Sequence, residues 1–350
     1  MNEIDRIKKQ ILRQLVKHPF SFWHLINYQD GHLVNFFQAI KELLAEGKIK
    51  YQKPYFYLDS QKDIFPYQNP GCLFCSPFSK DQFWKDILQK FIELTKNRPL
   101  PISDFDQGFI RPEDTLKRTA FIYERGDLEN TEIFILGDDD LISLSMALTK
   151  LPKKIVVVEI DERINKFIRE KAKEIGYKNI EVYNYNVIDN LPTELQKKFD
   201  IFVTDPVETK KGLLLFVSRC ISALKGEGSA GYIGFTHREA SLKKWKYFQE
   251  FLINSGFVIT DILRDFTIYP EKENQWNEFY KTYRIMKEFD LDLPDTDWYK
   301  SCFVRFEAVE EPKILEIEKP KNLRELYFDE EAWATPLPPY LKNKGGKNEL

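Results

Sequence analysis

From residue 131 onward, short apolar runs alternate with stretches whose apolar residues recur at helical spacing. Runs at 132–136, 154–160, 180–185, 199–204, 230–236, 257–265 and 301–309 read as strands. Helices are predicted near 141–150, 162–175, 212–224 and 241–255. Regular strand–helix alternation predicts a mostly parallel sheet with helices on both faces, an α/β, doubly wound, Rossmann-like architecture. The last two strands are separated by loop sequence alone and are expected to pair antiparallel at one edge.

The first sixty residues follow a different pattern. Ile4, Ile7, Ile11, Leu12 and Leu15 mark one helix face, and Phe22, Leu25 and Ile26 suggest a short second helix. A third runs through Leu33, Phe36, Phe37, Ile40, Leu43 and Leu44 and closes at Gly47. "KIKYQKPYFYL" then alternates like two short strands. Three helices and a hairpin make a winged-helix-like pattern. The third helix carries one lysine and two glutamates, a poor surface for phosphates, so dimerisation or a lid role is favoured over DNA binding. The chain divides into a winged-helix-like unit (1–60), a connector with a CxxC loop and helices (61–130), a catalytic domain (131–310) and a C-terminal extension (311–350) whose Pro- then Lys/Gly-rich tail reads as mobile.

Composition narrows the class. The 350 residues are 43% hydrophobic and 31% charged, enough for a globular core. A net charge of −3 disfavours a nucleic-acid-coating surface. With 52 basic and 55 acidic residues the surface is heavily charged, as in heat-loving organisms. Neither a signal peptide nor a membrane span is read, and the chain is expected to be cytoplasmic. Cys220 and Cys302 lie in apolar runs and are expected in the core. Cys72 and Cys75 form a lone CxxC, and a structural zinc would need ligands from elsewhere.

Ligands of doubly wound sheets bind at the carboxyl ends of the strands. There the first strand ends in Gly137-Asp138-Asp139-Asp140 and the second in Glu159, placed to hold ribose hydroxyls. Asn186 and Asp189 follow the third strand, within reach of an adenine. The fourth ends in Asp205-Pro206, with Glu208 and Thr209 behind. An acid at a helix start is commonplace; acids after three strands together point to a nucleoside pocket. Such a helix start normally attracts an anion, and three aspartates repel one. NAD, FAD and ATP are disfavoured, and so is the carboxylate of S-adenosylmethionine. Decarboxylated S-adenosylmethionine, a cation without a carboxylate, fits, and so does a polyamine. The strand–loop ending is that of the class I methyltransferase/aminopropyltransferase fold. The chemistry read here is attack of an amine on the carbon beside the sulfonium. Asp139 and Asp205 orient the nitrogen and take its proton, and Asp138, Asp140 and Glu208 support them.

"GDDDLISLSMAL", "TDPVETKKGLLLFVSR" and "GFTHREASLKKW" resemble the branched-chain polyamine synthases, the N(4)-bis(aminopropyl)spermidine synthases. The resemblance extends over most of the chain, including the Asp106-Gln107 pair. It implies a two-domain aminopropyltransferase, a homodimer of thermophilic type, that uses decarboxylated S-adenosylmethionine twice on the internal secondary amine of spermidine. The family's acidic loop maps onto Asp138, Asp139 and Asp140, its second motif onto Asp205, Pro206 and Thr209. Gln107 joins Gly137, Glu159, Asn186 and Asp189 on the nucleoside side. Where the family has an aspartate after the third strand, this chain has Asn186. Glu239 and His237 are read either as a helix start or as a wall of the acceptor channel, and Tyr269 as a ring closing on a cation. Two rivals stand: an S-adenosylmethionine-dependent methyltransferase on the same fold, and a winged-helix regulator with a polyamine or nucleoside sensor.

Overall fold

The computed structural model describes residues 3–22, 25, 29, 33–53, 55–59, 81–284, 286, 293–294 and 297–339. At the N-terminus, helices α1 (Glu3–Leu15) and α2 (Leu33–Ala45) pack on a small antiparallel sheet. Its strands β1 (Phe20–Ser21), β2 (Ile49–Gln52) and β3 (Tyr55–Leu58) lie in the order β1-β3-β2. Ile7, Ile11, Phe36, Leu43 and Phe56 form a separate core, as the helical spacing in α1 and α2 predicts. Most of the expected helix around Phe22–Ile26 lies outside the described residues, so a winged-helix assignment rests on the sequence pattern. Cys72, Cys75 and the tail from 340 also lie outside them.

Three cations of α1 dock this unit on the rest of the chain. Lys9 Nζ donates to the main-chain oxygens of Glu129 (2.9 Å) and Gly126 (3.3 Å). The Arg13 guanidinium covers the Tyr123 ring at 3.8 Å, donates to the Tyr123 carbonyl and pairs with Glu129. Arg6 pairs with Glu307, which shares Arg305 with Asp127.

After α3 (Gln82–Thr95) and α4 (Pro112–Glu124), the main sheet begins. Its strands are β4 (Glu132–Leu136), β5 (Lys154–Glu159), β6 (Ile180–Asn184), β7 (Ile201–Thr204), β8 (Ala230–Phe235), β9 (Phe257–Ile268) and β10 (Lys300–Ala308). The order is β6-β5-β4-β7-β8-β10-β9, with β10 antiparallel to both neighbours. The strand order reverses at β4, which is parallel to both its neighbours, so the crevice opens where β4 and β7 part, with Leu136 paired to Thr204. Between the strands lie α5 (Ile142–Thr149), α6 (Glu162–Glu174), α7 (Lys210–Ala223) and α8 (Leu242–Asn254).

Strand periodicity divides the core. Phe134, Leu136, Val156, Val158 and Phe202 face α7 and α8. Ile133, Ile135, Ile155, Val157 and Val203 face the other way and meet Trp84 and Phe91 of α3 and Phe121 of α4. Each such fully buried side chain contributes roughly 1.5–3 kcal/mol, which holds the strand ends in fixed register. The segment between β9 and β10 is more than loop. It carries two short helices, α9 (Glu271–Asn274) and α10 (Asn277–Tyr280), and packs Tyr269, Trp276, Tyr280 and Tyr283 into a further cluster with Ile110 and Ala334. A last helix, α11 (Leu323–Tyr327), contacts α7.

Candidate active site

β4 runs into Gly137, whose φ of +74° suits a residue without Cβ. Its N–H still donates to Val158 O at 2.9 Å, so the chain turns only after the sheet ladder is complete. The next N–H, of Asp138, donates to Glu159 Oε2 at 2.9 Å, while Asp161 N–H donates to Oε1 at 2.8 Å. Gln107 Nε2 donates to Asp161 Oδ2 at 3.0 Å. Asn186 uses its Oδ1 to accept from Ile188 N–H at 3.1 Å. Gly137, Glu159, Asn186 and Gln107 all line one pocket. Asp189 does not: it is exposed, and only its main chain takes part locally, accepting from Tyr185 Oη at 2.8 Å.

The three loop aspartates separate. Asp138 turns into the fold and caps α5, accepting from Ser143 N–H at 3.3 Å and from the Ser143 hydroxyl. Burial pushes it up to about 8. Asp140 also points away from the pocket, with Oδ1 held by Ile110 N–H at 2.8 Å and Oδ2 by Arg118 at 3.0 Å. Burial raises it, and Asp205 adds to the effect. Asp139 faces the pocket. Its Oδ2 accepts from Gly108 N–H at 3.1 Å, and Arg98 donates only to its main-chain oxygen. Burial, with Glu159 and Asp205 nearby, pushes it up to about 7.

Across the pocket, Asp205 accepts from Arg118 at 2.8 Å on Oδ1 and from Tyr269 Oη at 2.8 Å on Oδ2. Room for it comes from Gly234, where a Cβ would lie 2.0 Å from Asp205 Oδ1. Glu208 and Asp106 line the same cavity, and among the described residues neither carboxylate has a hydrogen-bond partner. Both are raised well above the ordinary carboxylate range, first by burial and then by neighbouring acids, chiefly Glu239. Glu239 accepts from Tyr299 Oη at 2.9 Å, Ala334 N–H at 2.7 Å and Thr335 Oγ1 at 3.3 Å. It therefore pins the start of the C-terminal tail, whose Pro336 borders the cavity.

Aromatic rings form the opposite wall. Tyr269 stacks on Trp276 with centroids 6.3 Å apart at 25°, and Tyr299 meets Tyr269 edge-on at 5.3 Å. Gly108 admits this wall, since a Cβ there would lie 2.3 Å from the Trp276 ring. Thr209 stays outside: it caps α7 through Gly212 N–H at 3.0 Å and donates to Leu326 O at 2.6 Å. His237 stacks on Trp245 at 4.3 Å and is likewise off the pocket.

Arg118, Trp276, Tyr283 and Tyr299 are site residues that sequence reasoning passed over. A signal existed for Arg118. Thr115, Arg118 and Thr119 form a polar stripe at helical spacing, and all are buried. The aromatics were announced only by their density between 269 and 299. Among the described residues no group of three or more His, Cys, Asp or Glu is arranged to hold a metal, and no helix is long and apolar enough to cross a membrane.

The sequence matches the branched-chain polyamine synthase A C-terminal domain family over residues 86–334. It is 38% identical to the N(4)-bis(aminopropyl)spermidine synthase of Methanocaldococcus jannaschii, over 90% of this chain and 91% of that one. It is 44% identical to the enzyme of the same name from Thermococcus kodakarensis, over 72% and 71%. The structure is similar to the branched-chain polyamine synthase of Thermus thermophilus in complex with N4-aminopropylspermidine and 5'-methylthioadenosine. The TM-score is 0.67 at 32% identity, covering 93% of this chain and 92% of that one. A matched domain spanning most of the chain, together with relatives of this similarity, shows that the protein is a transferase of polyamine biosynthesis and belongs to the branched-chain polyamine synthase family.

Proposed function

We propose that the protein moves aminopropyl groups from decarboxylated S-adenosylmethionine to the internal secondary amine of spermidine. The products are N(4)-aminopropylspermidine, then N(4)-bis(aminopropyl)spermidine, with methylthioadenosine released in each round. The observation that carries this reading is an excess of pocket carboxylates over cations: among the described residues, Asp139, Asp106 and Glu208 have no basic partner on their side chains. A polyamine supplies the missing positive charge, and aromatic rings beside it favour a cation further. The carboxylate of S-adenosylmethionine would add to the excess.

The nucleoside lies against Gly137, Glu159, Asn186 and Gln107. The acceptor nitrogen reaches the site protonated and gives one proton to Asp139. Its lone pair then attacks the carbon beside the sulfonium; the new N–C bond forms as the C–S bond breaks, and the electron pair of that bond stays on sulfur. Asp205 orients the nitrogen. Glu208, Asp106 and Glu239 hold the remaining ammonium groups. In the second round the nitrogen is tertiary, again protonated at first, and leaves quaternary. Each round therefore needs one proton removed before attack. The protein is proposed to act as a homodimer, with a winged-helix-like N-terminal unit in each subunit.

The test is mass spectrometry of the full-length protein with spermidine and decarboxylated S-adenosylmethionine, beside a tube with S-adenosylmethionine. Two successive aminopropyl additions on the internal nitrogen are expected in the first. Methyl transfer in the second, with an inert first tube, would overturn the proposal.

A further inference from the structure

One buried arginine joins a carboxylate that lines the pocket, Asp205, to one that lies behind it, Asp140. Nη1 of Arg118 donates to Asp140 Oδ2 at 3.0 Å and to Asp205 Oδ1 at 2.8 Å. Nη2 is anchored by the hydroxyls of Thr267 at 3.0 Å and Ser301 at 3.2 Å. The side chain is 1% exposed and does not border the pocket, so it touches no ligand. Asp139 receives nothing from it.

The charged surroundings are few. Asp139 is faced by Arg98 from the segment before α4, by Glu159 from β5, by Asp205 from the end of β7 and by its neighbour Asp140. Arg98 is committed to a main-chain oxygen. Arg118 is faced by Asp140, by Asp205 and by Tyr269 beyond β9.

We propose that Arg118 is a positioning residue for the transfer, binding Asp140 and Asp205 into one fixed charged unit so that Asp139 alone receives the proton of the acceptor amine. This rests on the aminopropyl-transfer reading above. Arg118 opposes the rise of Asp140, whose carboxyl is pushed up by burial and by the neighbouring Asp205; without the cation the pair would hold a proton more firmly. A proton there turns Asp205 from an acceptor into a donor, and it no longer orients an N–H. It also competes with Asp139 for the proton that must leave before attack. Asp139, with no cation on its carboxylate, already sits near neutrality at about 7, where a proton acceptor works best.

The experiment is the pH dependence of kcat for the full-length protein and two variants, with methylthioadenosine affinity measured alongside. In Arg118→Gln the acidic limb is expected to move up by about one pH unit, which lowers the rate about tenfold near neutrality and restores it at high pH. Methylthioadenosine affinity stays near the wild-type value. Arg118→Lys keeps the charge and moves the limb less. If Arg118→Gln does not fold, Thr267→Val loosens the same guanidinium and moves the limb in the same direction. A loss equal at every pH, or an unmoved limb in an active variant, would overturn the assignment of Arg118 alone. A wild-type protein that makes no aminopropyl product would overturn the underlying reading with it.

Discussion

On the β5 side of the pocket both oxygens of Glu159 and of Asp161 accept hydrogen bonds from the chain itself. On the β7 side Glu208 and Asp106 have no such donors among the described residues, and Asp139 has one main-chain N–H. The same functional group is thus finished in Glu159 and Asp161 and unfinished in Glu208, Asp106 and Asp139, although Asp205 and Glu239 beside them are satisfied as well. A satisfied carboxylate is part of the scaffold: Glu159 ties the loop after β4 to the loop after β5 and fixes where a ribose would lie. An unsatisfied one raises its proton affinity and waits for a cation. On the proposed function, the difference separates what would position the nucleoside from what would select the acceptor.

The largest expected effect strikes the unfinished half. Asp139→Asn should lower kcat by about 10²–10⁴-fold, the range of a lost proton acceptor, while methylthioadenosine binding persists. Near-normal turnover would remove Asp139 from the chemistry. Next, Gly234→Ala places a methyl where Asp205 Oδ1 lies and should cost up to about 100-fold in kcat, as a misplaced group of this kind does. Glu208→Gln should raise the KM for spermidine roughly tenfold with little change in kcat, since a charge-assisted pair is weakened outside the reacting centre. Equal loss in kcat would move Glu208 into the reaction itself. In the finished half, Glu159→Gln sets an amide N–H₂ against a main-chain N–H. It should cost about 1–3 kcal/mol of stability as well as nucleoside affinity.

The smallest effect is thermal. Asp138 and Asp139 are raised to about 8 and about 7. A carboxyl raised in the folded state stabilises it fully below the unfolded value near 3.9, and that contribution is lost as pH rises through the folded value. The melting temperature should therefore rise as pH falls from about 9 to about 5. Asp161 is shifted the other way, and its contribution changes only in more acid solution. Spermidine should raise the melting temperature most at the alkaline end. A flat profile would mean that water reaches both acids in the folded protein.

Much of this was legible in sequence, for identifiable reasons. The central strands β4, β5 and β7 carry unbroken apolar runs, and the ends of all seven move by only a few residues between pattern and structure; β9 extends to Ile268 where the pattern stops at 265. Gly137, Asp139, Glu159, Asn186, Asp205 and Glu208 meet in one pocket because strand ends of a parallel sheet must converge. What sequence does not carry is the direction of a side chain within a turn. Asp138, Asp139 and Asp140 look alike in a row, yet the left-handed backbone at Leu141 (φ 57°) closes a tight loop that sends only the middle one outward. Thr209 stands in a motif and serves as a helix cap. The segment 269–299 has no period at all, so its aromatic wall follows from tertiary packing rather than from pattern.

The docking of α1 has a bearing on modularity. The last carbonyls of any helix lack partners within it. At the end of α4 the Tyr123 carbonyl, which accepts from Gly126 N–H at 3.0 Å, is also met by Arg13, and Lys9 answers two more in the loop beyond. The N-terminal unit thus works as a terminus for the helix that carries Arg118. Units of this kind cannot be exchanged between relatives as independent cassettes. A graft that omits Arg6, Lys9 and Arg13 imports a fold without these contacts, and the looseness it introduces begins less than two turns from the buried arginine.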